Sequence, residues 1–200
     1  MKLLLIFATV FIFFSSCTNK SIHPSIPPEV IPKQIDSFFP VTSFIKGQMA
    51  MLDSLPVTPL LLTIIKGKTD STWLSKQELK SLLSSFLNPA ITETNFTKLF
   101  TEIKFKDETL HAITFTYDPI NILPDTVALQ HWDVYVNPET GNVVKIYLVK
   151  KVKKDNKIYT SQLTWKTNQL AKITTLISNS SGAAKLVKED VFIWDFSARY

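Results

Sequence analysis

Three histidines, His23, His111 and His131, are the side chains best suited to metal binding or proton transfer. His23 falls in a proline-rich stretch. The other two lie in or beside strand-like segments, with no HExxH or other metal-ligand spacing. A zinc site would need a third ligand that no pattern marks, so neither a metal nor a cofactor is expected. His131 and Asp133 share one face of a strand. With any of many serines they could be drawn as a triad, but this geometry is common, and a core or surface role is expected instead. Among the carboxylates, Asp107 and Glu108 lie in a turn, and Asp118 and Asp125 flank the Pro119–Pro124 loop. Paired acids in a cleft can hydrolyse glycosides, whereas acids in turns usually bond to nearby backbone. There is no GxSxG elbow, phosphate-cradling loop or dinucleotide fingerprint, and four glycines leave little material for one. No catalytic residue is assigned, and the chain is read as non-enzymatic.

The basic residues are more informative. The chain carries 22 Lys and Arg against 17 acids, and from Lys145 to Lys172 there are eight lysines and one acid, Asp155. Lys151, Lys153, Lys154 and Lys157 gather at a hairpin tip around Asp155-Asn156. The plain reading is a solvated edge that lysine keeps unpaired. The sharper one is contact with anionic lipid headgroups or an acidic partner. Nucleic acid is not an expected partner: the chain carries an export signal, and Arg199 is its only arginine.

The single cysteine, Cys17, has a particular setting. Met1-Lys2 and a run from Leu3 to Phe14, apolar except for Thr9, precede Ser15-Ser16-Cys17. The run suits a secretory signal and is too short for a span of about 20 residues. The segment resembles the lipobox of bacterial lipoproteins, with Phe14 where Leu is usual. That resemblance implies cleavage after residue 16 and lipidation of Cys17. Residues 17–32 then form a tether containing Pro24, Pro27, Pro28 and Pro32, extended at about 3.1 Å per residue. Thr18 is not the Asp that marks inner-membrane retention, and no acidic cluster follows Cys17. The resemblance therefore implies a cell-envelope protein anchored by its lipid, on the periplasmic face of the outer membrane.

Residues 33–200 read as a single α+β domain, and 45% hydrophobic content suffices for a core. A first helix follows Pro40, with Val41, Phe44, Ile45, Gln48, Leu52 and Leu55 as its apolar stripe. Gly47 weakens it, which close packing of helix on sheet would explain. Ser75 and Glu78 make a capping box for a second helix, with Leu74 and Leu79 as staple and Leu79, Leu82, Leu83 and Phe86 buried. Leu60–Ile65 reads as a strand. From about residue 99 the pattern is an antiparallel meander.

Its register can be derived. Folding at residues 138–141 pairs Val136 with Val144, Val134 with Ile146 and Trp132 with Leu148. A two-residue turn at Asp155-Asn156 pairs Leu148 with Leu163, Ile146 with Trp165 and Val152 with Tyr159. A three-residue turn around Asn168 sets Trp165 against Ala171 and Leu163 against Ile173. All three put one apolar set on one face, an agreement that a one-residue slip would destroy. A last strand, Val187–Phe196, lies inside the sheet or under a helix. The expected architecture is an antiparallel sheet of about six to eight strands, with two helices of the N-terminal half packed on one face.

Two weaker resemblances concern function. Asp53-Ser54-Leu55, Asp70-Ser71-Thr72 and Asp125-Thr126-Val127 resemble O-glycosylation sites of Bacteroidetes envelope proteins, implying Ser54, Ser71 and Thr126 as acceptors on the surface. Residues 132–146 resemble the hairpin of PepSY-type domains, which accompany or inhibit envelope proteases. As a whole the chain is similar to small lipoproteins of Bacteroidetes. The expected function is a lipid-anchored, non-catalytic binding module whose partner is an envelope protein or a lipid. The alternatives are a carrier of a hydrophobic ligand in a half-barrel lined by Trp132, Trp165 and Phe192, and a protease-regulating module.

Overall fold

In a computed structural model, residues 37–179 and 183–195 are described; Cys17 and the tether lie outside them. Helix α1 spans Val41–Ser54, and α2 spans Lys76–Leu82 with a 3-10 extension over Leu83–Leu87. The strands are β1 (Leu60–Ile65), β2 (Lys68–Trp73), β3 (Phe100–Asp107), β4 (Ala112–Pro119), β5 (Leu129–Val136), β6 (Val143–Lys154), β7 (Lys157–Lys166), β8 (Leu170–Asn179) and β9 (Lys185–Ile193). They form one sheet in the order β2-β1-β9-β8-β7-β6-β5-β4-β3, every pair antiparallel. The architecture is α+β, with both helices from the first half of the chain.

Turn chemistry sets this register. Asp155 and Asn156 take φ of +50° and +57°, the left-handed pair that a two-residue hairpin turn needs and that Asp and Asn tolerate. Lys66 and Gly67 do the same between β1 and β2, at +50° and +76°. Asn168, at φ +60°, turns β7 into β8. The derived pairs Val134–Ile146, Trp132–Leu148, Leu148–Leu163, Ile146–Trp165, Val152–Tyr159, Trp165–Ala171 and Leu163–Ile173 all occur. Strand β9 lies inside the sheet, between β8 and β1.

Several expectations are corrected. The sheet has nine strands, not six to eight. Strand β2 is a polar edge strand, exposed at every residue, so it has no apolar alternation to announce it. Val136 pairs with Val143 rather than Val144. Gly141 at φ +69°, with Gly141 and Asn137 bonded across the turn, tightens the loop and shifts the ladder there. In α1 the inward residues are Val41, Thr42, Ile45, Met49 and Leu52, while Gln48 is half-buried and Leu55 exposed. Gly47 is exposed, and a Cβ there would meet nothing within 4 Å, so close packing does not explain it. Leu82 is exposed because the helix tightens after it. Three residues per turn put Leu83 and Phe86 on the buried face instead. The Ser75–Glu78 capping box forms as expected, and Leu74 and Leu79 are buried.

The core joins one sheet face to the helices. Val41, Ile45, Met49 and Leu52 of α1, with Leu79, Leu83 and Phe86, share a buried cluster with Trp132, Leu148, Leu163, Trp165, Ala171 and Phe192. Trp132 stacks on Tyr117 at 4.5 Å between ring centroids and 9° between planes, and Phe100 and Phe38 close around it. Trp165 packs on Phe86 and Trp194. The three side chains expected to line a carrier cavity, Trp132, Trp165 and Phe192, are thus buried against one another's neighbours.

Candidate functional site

Alternation sends the other half of each strand to the opposite face, where the ladder aligns polar side chains into rows. One row runs Thr116, Asp133, Tyr147, Thr164, Lys172, Val191, each residue opposite the next on the neighbouring strand. The adjoining row holds Tyr135, Lys145, Lys166 and Leu170 in the same way. This outer face carries the densest polar network found among the described residues.

His131 is at its centre. Its Nδ1 donates to Asp118 Oδ1 at 2.7 Å and its Nε2 to Asp133 Oδ2 at 3.1 Å. Asp133, itself buried, accepts further hydrogen bonds from Thr116 Oγ1 at 2.7 Å and the Tyr135 hydroxyl at 3.1 Å. The hydrogen bond to Asp133, more than the burial that opposes it, pushes the imidazole up to about 9. Burial raises the Asp133 carboxyl, but its bonds to His131, Thr116 and Tyr135 outweigh that and hold it below the usual range. His131 is therefore a charged double donor at neutral pH. It has no lone pair with which to act as a base or bind a metal. The expected sharing of one face by His131 and Asp133 is found, but the third member is a threonine that donates to the carboxylate, and no serine among the described residues completes a triad.

Beside this network lies a hollow of about 510 Å³ bordered by Asp133, Tyr135, Lys145, Tyr147, Lys166 and Lys172. A second hollow of about 260 Å³ adjoins it, sharing Tyr135, Lys145 and Lys166. The Lys145 ammonium sits 3.6 Å from the Tyr135 ring centroid, a cation–π contact. Burial, the largest influence on it, lowers its proton affinity. Lys172 is paired with Glu189 at 3.3 Å, and Glu189 also accepts from Thr174 at 3.0 Å. Lys145 and Lys166 have no ion-pair partner among the described residues.

The sequence-derived candidates fall elsewhere. Lys151, Lys153, Lys154 and Lys157 are all exposed at the β6–β7 tip, but not on one face. Lys151 and Lys153 point to the outer face beside the loop bearing Pro124 and Asp125, while Lys154 pairs with Lys157 at the turn. Their neighbour Lys150 turns inward and is buried, donating to the carbonyls of Ser85, within the 3-10 segment, and Asn88, just after it. Ser54 and Ser71 are exposed, at the end of α1 and on edge strand β2, and Thr126 is exposed in a turn. Ser54 Oγ donates to the Met51 carbonyl at 2.7 Å. Asp107 accepts from the Thr109 and Leu110 amides, as a turn acid does. His111 holds a left-handed position, φ +47°, at the β3–β4 turn.

The outer-face hollow was not named by sequence reasoning, though part of its signal was present. A register that pairs Ile146 with Trp165 forces Lys145 opposite Lys166 and Tyr147 opposite Thr164. Compared with protein-family models, with curated proteins and with solved structures, the chain matches none.

Proposed function

We propose that the protein is a non-catalytic binding module of the cell envelope, tethered through a lipid on Cys17 and presenting its outer sheet face to an envelope protein. The observation that carries the binding reading is the hollow between Tyr135, Tyr147, Lys145 and Lys166. It joins aromatic and cationic side chains on the face opposite the one that α1 and α2 cover among the described residues. Tyrosine offers large contact area with a polar end, the composition typical of protein contact surfaces. The non-enzymatic reading draws support from His131, which is engaged at both nitrogens and charged at neutral pH. The carrier reading would need space where Trp132, Trp165 and Phe192 are packed. A protease-regulating role stays within the binding class, with an envelope protease as the partner.

The anchor and the module are tested together. The lipidated, tagged protein is crosslinked in cells and its captured partners identified by mass spectrometry, while a Cys17→Ser form is fractionated. One recurrent envelope protein, and release of the variant from the membrane fraction, are expected. Absence of any protein partner would overturn the module, and retention of the variant in the membrane would overturn the anchor.

A further inference from the structure

We propose that the outer-face trough is the docking site for an acidic peptide segment of the partner, carrying carboxylates in extended conformation; this rests on the binding-module reading above. The first observation is charge. Lys145 and Lys166 stand directly opposite each other across the β6–β7 ladder, an arrangement that destabilises a sheet. Asp133 and Asp107 act on Lys145 from a distance, but neither forms an ion pair with it. Asp118 and Asp133 are engaged by His131, Asp107 by the Thr109 and Leu110 amides, and Glu189 by Lys172 and Thr174. Two ammonium groups are thus left facing one hollow, each able to take one carboxylate.

Shape supplies the second observation. Tyr135, Lys145 and Lys166 stand between two adjoining hollows of about 510 and 260 Å³, so the space is a trough with the cations at its waist. An elongated segment fills such a trough, and a compact oxyanion does not. The third observation is donor chemistry. The ladder holds the backbone amides of β6, β7 and β8, so these strands leave no N–H nest to wrap a phosphate, and no arginine lines the site among the described residues. Lysines act as separate point charges, which suits spaced carboxylates. The Tyr147 hydroxyl has no intramolecular hydrogen-bond partner among the described residues and is placed to donate to the same segment. Leu170 and Val191 give the larger hollow an apolar end.

The test uses the full mature chain carrying Cys17→Ser, titrated with N-acetylated tetraglutamate amide, with tetraglutamine amide and with pyrophosphate, and followed by amide NMR shifts. Tetraglutamate should shift β6, β7 and β8 resonances, and tetraglutamine should not. The double variant Lys145→Gln/Lys166→Gln should bind tetraglutamate at least about tenfold more weakly, since both attracting charges are gone. It should keep wild-type strand resonances. The single variants, each retaining one ammonium, give intermediate losses if the double variant proves poorly folded. Unchanged affinity in these variants, equal binding of tetraglutamine, or tighter binding of pyrophosphate than of tetraglutamate at these strands would each overturn the proposal. Failure here is distinguishable from failure of the module itself. A partner crosslinked in cells just as well by the Lys145→Gln/Lys166→Gln protein overturns the trough and leaves the module standing.

Discussion

His131 and Asp118 are joined across the β4–β5 pair by a 2.7 Å bond from Nδ1 to Oδ1, so the imidazole is clamped between carboxylates from two strands. The groups facing it are Asp118 on β4, Asp133 on its own strand and Tyr147 on β6. The consequence is a pH dependence of known sign. The folded-state value is raised from 6.5 to about 9, so the folded protein holds this proton more tightly than the unfolded chain. Its stabilisation is complete below 6.5 and is lost as pH rises through about 9. A shift of this size corresponds to about 3 kcal/mol. His131→Gln should remove that fall, as read by urea denaturation at a series of pH values. An unchanged profile would show that the clamp contributes nothing.

Lys150 has the opposite sign. Burial lowers it from 10.5 to about 8, so the folded chain releases this proton more readily than the unfolded one. Stability from this group rises as pH increases from 8 to 10.5. Between pH 8 and 9 the two groups oppose each other in the native protein. Lys150→Met should abolish the rise and expose the full fall due to His131. It should also lower stability at neutral pH by about 1–3 kcal/mol, because the Ser85 and Asn88 carbonyls lose their donor.

How far these features were legible in the sequence follows from which constraints are local. The β5–β6–β7–β8 register could be derived because three short turns each fix their own ladder and agree on one buried face. The same reasoning missed β2, whose residues Lys68–Trp73 are exposed throughout and have no apolar period to read. It placed His131 and Asp133 on one face, yet could not find Asp118. The β4–β5 connection runs through residues 120–128, and no turn type in that stretch fixes the pairing. Gly47 was misread for a related reason. A glycine in a helix signals either close packing or an exposed position under little constraint, and only the space around its Cα separates the two.

Gly47 gives the next expected result. It is helical and exposed, with open space where a Cβ would stand. Gly47→Ala should stabilise the protein by about 0.5–1 kcal/mol through lower entropy of the unfolded chain and better helix propensity. The thermal midpoint should rise by about 1–4 °C. A lower midpoint would mean that α1 meets a surface at this position.

The basic tip has a separate test. In the Cys17→Ser background, replacing Lys151, Lys153, Lys154 and Lys157 with Gln should weaken binding to phosphatidylglycerol-containing vesicles by at least about tenfold, given about 1 kcal/mol per lysine near an anionic surface. Phosphatidylcholine vesicles should show no such difference. Unchanged affinity would return the four lysines to the role of a solvated strand edge.

The account stands most directly on what touches the outer face in the cell. A photoreactive residue introduced as Tyr147→p-benzoylphenylalanine in the lipidated protein reports that contact, with Thr69 on edge strand β2 as the control position. One recurrent envelope protein crosslinked from position 147 and absent from position 69 is the expected result. The same capture from both positions, or none from 147, would contradict a binding module that works through this face.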